Sequence, residues 1–189
     1  MIAAFAAMGA MMMQKTANYW SQISQWDAAL CVRINRASRQ RWIGDLFGAI
    51  SRLGNGVFWY ALMLALLLWE RGDALIPVLH MIVTGLSCTA LYKWLKGKTL
   101  RPRPFALNRD IILSVPPLDQ FSFPSGHTLH AVGFSLVALA YYPGLGWLAI
   151  PFTVLVALSR LILGLHYPTD VLAGAALGAL VAALSLAVF

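Results

Sequence analysis

Three polar clusters in this sequence combine residue types that can hold a phosphate and attack it. The first is Lys96-Gly-Lys98-Thr-Leu-Arg101-Pro-Arg103-Pro104. Arginine suits bidentate contacts with phosphate oxygens, and lysine supplies a point charge. The prolines stiffen the backbone and restrict where Arg103 points. Taken alone, the run would equally suit a juxtamembrane loop that grips lipid head groups. The second cluster is Pro124-Ser125-Gly126-His127, directly ahead of an apolar stretch. Ser125 reads as a helix N-cap, and Gly126 lets a ligand approach the backbone. The first-turn N–H groups and the helix dipole then form an anion site. The third is Ser159-Arg160 followed by His166 and Asp170. Arg160 lies inside the apolar run from Trp147 to Leu165. An ionisable residue in such a run is a functional candidate by default. Pro168 and Asp170 fit the first turn of the next helix, and the Asp170 carboxylate can also orient the His166 imidazole.

The elements that position these clusters are membrane helices. The 189 residues are 60% hydrophobic and only 11% charged, against about 25% charged in a typical soluble domain. Disorder is excluded by that hydrophobicity, and a disulfide scaffold by a cysteine inventory of only Cys31 and Cys88. The net charge of +7 could indicate nucleic acid, but the basic residues lie between apolar runs rather than on a soluble basic face, so no nucleic-acid partner is expected. Membrane lipids and anionic lipid head groups are the expected partners.

Apolar runs at 53–69, 74–92, 128–142, 147–165 and 171–189 predict five transmembrane helices in an all-α bundle. They make one domain over residues 1–189, with a transmembrane core from 53 onward. Residues 1–52 are read as N-terminal and interfacial, since Trp20, Trp26 and Trp42 are mixed with Arg33, Arg36, Arg39 and Arg41. A sixth span near residues 2–13 stays open, because that apolar stretch is short. Gly174, Gly178 and Ala182 share a helix face that permits close packing, with no function attached to it. His80 and His130 are expected to be packed or hydrogen-bonded, and a metal pair of His127 with His130 is not expected. Lys98 and Arg101 are expected to face solvent or head groups.

Two spans separate the second cluster from the third and none separates the first from the second, so all three share one membrane face. That face gathers His127, His166, Asp170, Lys96, Arg103, Arg160 and a helix N-terminus, an inventory suited to phosphoryl transfer through a covalent histidine.

The sequence resembles the type 2 phosphatidic acid phosphatase (PAP2) superfamily of integral-membrane lipid phosphatases. The signature is Lys, six residues, Arg-Pro; Pro-Ser-Gly-His; and Ser-Arg, five residues, His, three residues, Asp. Lys96 with Arg103-Pro104, Pro124 to His127, and Ser159-Arg160 with His166 and Asp170 match it throughout. The resemblance implies that His166 attacks phosphorus, Asp170 holds its other ring N–H, and His127 protonates the leaving oxygen and then activates water. It further implies that Lys96, Arg103, Arg160, Ser125 and the Gly126 N–H bind phosphate, with no metal and no cofactor. His166 must be neutral while His127 is charged. The expected substrate is a lipid phosphate or diphosphate, foremost undecaprenyl diphosphate in a bacterial inner membrane. Phosphatidylglycerophosphate, phosphatidate, transfer to lipid A and non-enzymatic lipid binding are the alternatives. Positive-inside counting places the site in the cytoplasm and the resemblance places it on the periplasmic face, which is the expectation adopted. The oligomeric state is not legible in the sequence.

Overall fold

The computed structural model describes residues 21–188. The open question of a sixth span at residues 2–13 lies outside them. Helix α1 covers residues 21–35, followed by a 3₁₀ turn at Arg36–Arg39 and by α2, Arg41–Arg52. The apolar runs become α3 (Phe58–Glu70), α4 (Leu75–Thr99), α6 (Gly126–Tyr141), α7 (Gly146–Ile162) and α8 (Pro168–Val188), with a single-turn α5 at Pro104–Leu107. Among the described residues there is no strand, only an isolated bridge between Pro102 and Phe121.

The first run starts as a regular helix later than its composition suggests. Leu53–Val57 forms a wide turn, with Gly56 at φ 123°, which redirects the chain from α2 into α3. Among the described residues, three helical stretches are long and apolar enough to cross a membrane: Arg41–Thr99, Pro143–Ile162 and Pro168–Val188. The first of these contains α2, α3 and α4, joined through the turns at Leu53–Val57 and Arg71–Ala74. Helix α6, with 16 residues, is shorter than the roughly 20 a span needs.

Helix α6 is central, packed against α4, α7 and α8. Trp59, Met81, Val137 and Val156 fill the core between α3, α4, α6 and α7. Several polar side chains inside the bundle are paired: His80 contacts Tyr141 Oη at 3.0 Å and Ser185 Oγ at 2.9 Å, while Ser135 Oγ lies 2.6 Å from Thr153 Oγ1. The exterior is apolar, with Leu64, Leu68, Leu86, Leu172 and Leu180 exposed. Such a surface is stable against lipid and would aggregate in water.

The small face of α8 is where the bundle closes on its active end. A Cβ at Gly178 would lie 2.4 Å from the Leu129 carbonyl oxygen, and one at Gly174 would lie 2.6 Å from that of Ser125. These contacts are backbone to backbone, so no rotamer change relieves them. The stripe therefore has a role that its spacing alone did not reveal: it seats the start of α6 against the start of α8. Gly178→Val is expected to destabilise the fold by about 3 kcal/mol, near the upper end of overpacking costs. A thermal melt in detergent checks this. An unchanged Tm would show that the two helices separate without cost.

Candidate active site

Helix α4 delivers Lys96 at its last turn, and the backbone reverses at Leu100, which adopts φ 48°. Lys96 Nζ donates to both Asp119 carboxylate oxygens, at 2.7 and 2.8 Å, and to the Phe121 carbonyl at 2.9 Å. Arg103 reaches the same residue, with Nη2 donating to Asp119 Oδ1 at 2.7 Å and Nε to the Asp119 carbonyl at 2.9 Å. Burial alone would raise the Asp119 carboxyl, but the hydrogen bonds and charges of Lys96 and Arg103 hold it below its ordinary value. Asp119 is thus the anion that spaces the two cations expected to bind phosphate. No motif marks it, although it is one of only three charged residues after position 110.

His166 sits in the short loop between α7 and α8. Gly164 enables that loop at φ 71°, where a Cβ would come within 2.4 Å of Ile111. The N–H groups of Leu165 and His166 both donate to the Arg160 carbonyl at 3.1 Å. Arg103 Nη1 donates to the Leu165 carbonyl at 2.7 Å and lies 3.3 Å from His166 Nε2. A guanidinium has only donors, so Nε2 must be the acceptor and the ring proton belongs on Nδ1. That tautomer presents a lone pair at Nε2. Asp170 Oδ2 stands 3.6 Å from Nδ1, longer than a hydrogen bond, and accepts the Tyr167 N–H at 2.9 Å. The expected Asp170–imidazole hydrogen bond is therefore an ion-pair-range contact in this structure.

Burial, and then the charges of Arg160, Arg103 and Lys96, push the His166 imidazole well below its ordinary pKa of 6.5. The protonated form is the one disfavoured, so His166 stays neutral as pH falls through 6.5 and charges only further into the acid range. In ¹⁵N-histidine NMR of the protein in micelles, His166 is expected to show the neutral Nδ1–H tautomer at pH 6.5. A half-protonated ring at that pH would contradict the geometry.

Ser125 occupies the N-cap position of α6, but its hydroxyl does not cap the backbone as expected. Its Oγ lies 3.0 Å from Thr128 Oγ1, and its N–H donates to the Asp170 carbonyl at 3.0 Å. The second bond ties the start of α6 to the start of α8. His130, five residues along, also lines the cavity, but its ring nitrogens are engaged by the Gly126 carbonyl at 2.8 Å and Thr89 Oγ1 at 3.0 Å.

A cavity of about 510 Å³ brings Lys96, Arg103, Gly126, His127, Arg160 and His166 together. Ser125 is buried behind this wall. The cavity continues along apolar side chains of α3, α4 and α6, including Trp59, Met63, Ile82, Leu86 and Phe134. Arg160 is 2% exposed; its Nη1 donates to Ser51 Oγ, and its Nε has no partner. Among the described residues no carboxylate forms an ion pair with it. Two buried cations, Lys96 and Arg103, share the Asp119 carboxylate while Arg160 has none, an excess of positive charge that favours a bound anion.

Arg101 departs from its expected solvent-facing or head-group-facing role. It pairs with Asp27 and with Asp170, each at 2.6 Å, and lies over the Tyr167 ring at 4.1 Å. Asp27 and Ser51 come from helices read as interfacial, and only their distant partners reveal their place.

A family model described as the PAP2 superfamily matches residues 73–189. The chain belongs to the PAP2 superfamily. This PAP2 protein is 33% identical over 114 residues to "Undecaprenyl-diphosphatase BcrC" of Bacillus subtilis, covering 60% of this chain and 58% of that protein. It is 31% identical over 145 residues to "Undecaprenyl-diphosphatase" of Sulfolobus acidocaldarius, covering 76% and 69%. Its fold is similar to the crystal structure of LpxE from Aquifex aeolicus, with a TM-score of 0.73, 28% identity and coverage of 84% and 93%. It is also similar to that of a transmembrane PAP2-type phosphatidylglycerolphosphate phosphatase from Bacillus subtilis, with a TM-score of 0.65, 26% identity and coverage of 88% and 85%.

Proposed function

We propose that this PAP2 protein is a lipid phosphatase that hydrolyses undecaprenyl diphosphate to the monophosphate through a phosphohistidine. The observation that carries the reading is the His166 Nε2 lone pair set among buried cations, in a cavity that runs on into an apolar groove. In the first step Nε2 attacks the terminal phosphorus. The Nε2–P bond forms as the P–O bond to the bridging oxygen breaks, and His127 gives that oxygen a proton. Burial and then the Arg160 charge push His127 well below its ordinary pKa in the substrate-free site, so this proton is taken up with the anionic substrate. Lipid monophosphate leaves. His127, now neutral, takes a proton from water, the resulting hydroxide attacks phosphorus, and the N–P bond breaks to release inorganic phosphate. Lys96, Arg103, Arg160 and the Gly126 N–H hold the phosphoryl oxygens and stabilise their charge, while Ser125, expected among them, is buried behind the wall with its hydroxyl on Thr128. Asp170 stabilises the cationic ring.

The names of the curated relatives favour a polyprenyl diphosphate, and the apolar walls from α3 and α4 suit a long hydrocarbon chain. Phosphate release from purified undecaprenyl diphosphate, phosphatidylglycerophosphate and phosphatidate, with chelator present and no lipid acceptor, tests the reading. Turnover highest on the diphosphate is expected. Turnover only after adding an acceptor would make the protein a phosphotransferase, and loss of turnover with chelator would overturn the metal-independent scheme.

The proposed setting is a bacterial inner membrane with the site on the periplasmic face. Helix α8 starts at the site and runs away from it, so its C-terminal end lies on the opposite face if it spans. A reporter fused at Phe189 is expected to read cytoplasmic.

A further inference from the structure

Helix α1 lies outside the segment matched by the PAP2 family model and carries none of the three motifs, yet one of its faces is given over to the loop that bears His166. Asp27, Cys31 and Asn35 recur every four residues, a spacing that aligns side chains on one helix face, and all three are buried. Asn35 Nδ2 donates to the Ile162 carbonyl at 2.8 Å, where α7 ends. Cys31 Sγ donates to the His166 carbonyl at 3.6 Å. Asp27 Oδ1 accepts the Thr169 N–H at 3.0 Å, and its Oδ2 accepts both the Thr169 hydroxyl and Arg101 Nη2, the latter at 2.6 Å. The other arm of that guanidinium, Nη1, donates to Asp170 Oδ1 at 2.6 Å and to Thr169 Oγ1 at 2.8 Å.

One guanidinium therefore sits between two carboxylates. Were Asp27 neutral, Arg101 and Asp170 would cancel, leaving no net charge beside the nucleophile. With Asp27 ionised, the cluster keeps one negative charge, and Asp170 Oδ2 carries it to within 3.6 Å of His166 Nδ1. Positive charge develops on that ring as the Nε2–P bond forms and the P–O bond breaks.

We propose that Asp27 is a positioning residue for phosphoryl transfer: it occupies one arm of Arg101 so that Asp170 retains charge for the His166 ring, and it fixes Thr169 at the start of α8. The proposal rests on the reading of His166 as nucleophile. Helix α1 is on this account a splint for the active site and not only an interfacial anchor.

The test uses the full chain in detergent micelles with undecaprenyl diphosphate. Asp27→Asn is expected to lower kcat about tenfold, the equivalent of one pK unit on the His–Asp pair, with KM little changed. It is also expected to move the His166 Nδ1 resonance in ¹⁵N NMR without substrate. Adding Arg101→Gln to Asp27→Asn is expected to recover activity above the single variant, because the surplus cation is gone. A merely structural role would lower stability without moving the Nδ1 resonance, and losses that simply add would mean that the contacting pair is uncoupled. Unchanged kcat with an unmoved resonance overturns the proposal, as does simple additivity. The resonance is read without turnover, so a chain that releases phosphate from no lipid would overturn the phosphatase reading while the NMR shift still decides the role of Asp27.

Discussion

Replacing His166 with alanine is expected to reduce phosphate release by about 10⁴-fold or more, down to the level left by binding alone. The ring is the covalent relay in the proposed route, and no other nucleophile in the cavity has a comparable setting. His127 and His130 line the same cavity, but His127 is the proposed acid and base, and His130 is committed to Gly126 and Thr89. Substrate binding is expected to persist in the variant, because Lys96, Arg103 and Arg160 remain. The measurement is turnover of ³²P-labelled lipid diphosphate by both proteins, together with acid-labile label trapped on wild type by a rapid quench. Label retained on His166→Ala would move the nucleophile elsewhere. Turnover retained without label would favour direct attack by water.

Arg160→Met is expected to separate activity from stability. The guanidinium is buried at the end of α7, has the Ser51 hydroxyl as its hydrogen-bonded side-chain partner, and keeps an unpartnered Nε. Removing a donor aimed at charge that develops in the transition state costs about 10²–10³ in kcat. Burying a cation without a carboxylate is itself unfavourable, and an apolar side chain of similar length removes that cost. The expected result is a kcat lower by two to three orders of magnitude with a Tm equal to or above wild type. A matching fall in both would mean that Arg160 is structural. A kcat within a few-fold of wild type would remove it from the phosphate site. Ser51→Ala should produce a milder form of the same loss, since it frees Arg160 without removing it.

Much of this molecule was legible before any coordinates. The five apolar runs became five helices because burying or solvating a backbone in lipid leaves few alternatives to internal hydrogen bonding. Lys96, Arg103, His127, Arg160 and His166 gather in one cavity because successive helices alternate direction, so residues separated by two helices return to the same end. The misreadings share one cause. Arg101 looked like a solvated neighbour of the motif, and its two carboxylate partners lie 74 and 69 residues away. Ser125 looked like a side-chain cap, but its hydroxyl found Thr128 and its N–H found Asp170, which no local rule anticipates.

The sequence by itself determined the helical membrane architecture, the family signature and the residue types available for phosphoryl transfer, because periodicity, hydropathy and motif spacing are local properties of the chain. Only the tertiary structure decided which nitrogen of His166 meets Arg103, that Asp119 spaces Lys96 from Arg103, and that α1 braces the loop that carries His166. Each of these depends on a hydrogen bond or close contact between residues far apart in the chain. Such contacts are selected by how α1, α4, α6 and α8 pack, and they leave no periodic trace along the sequence.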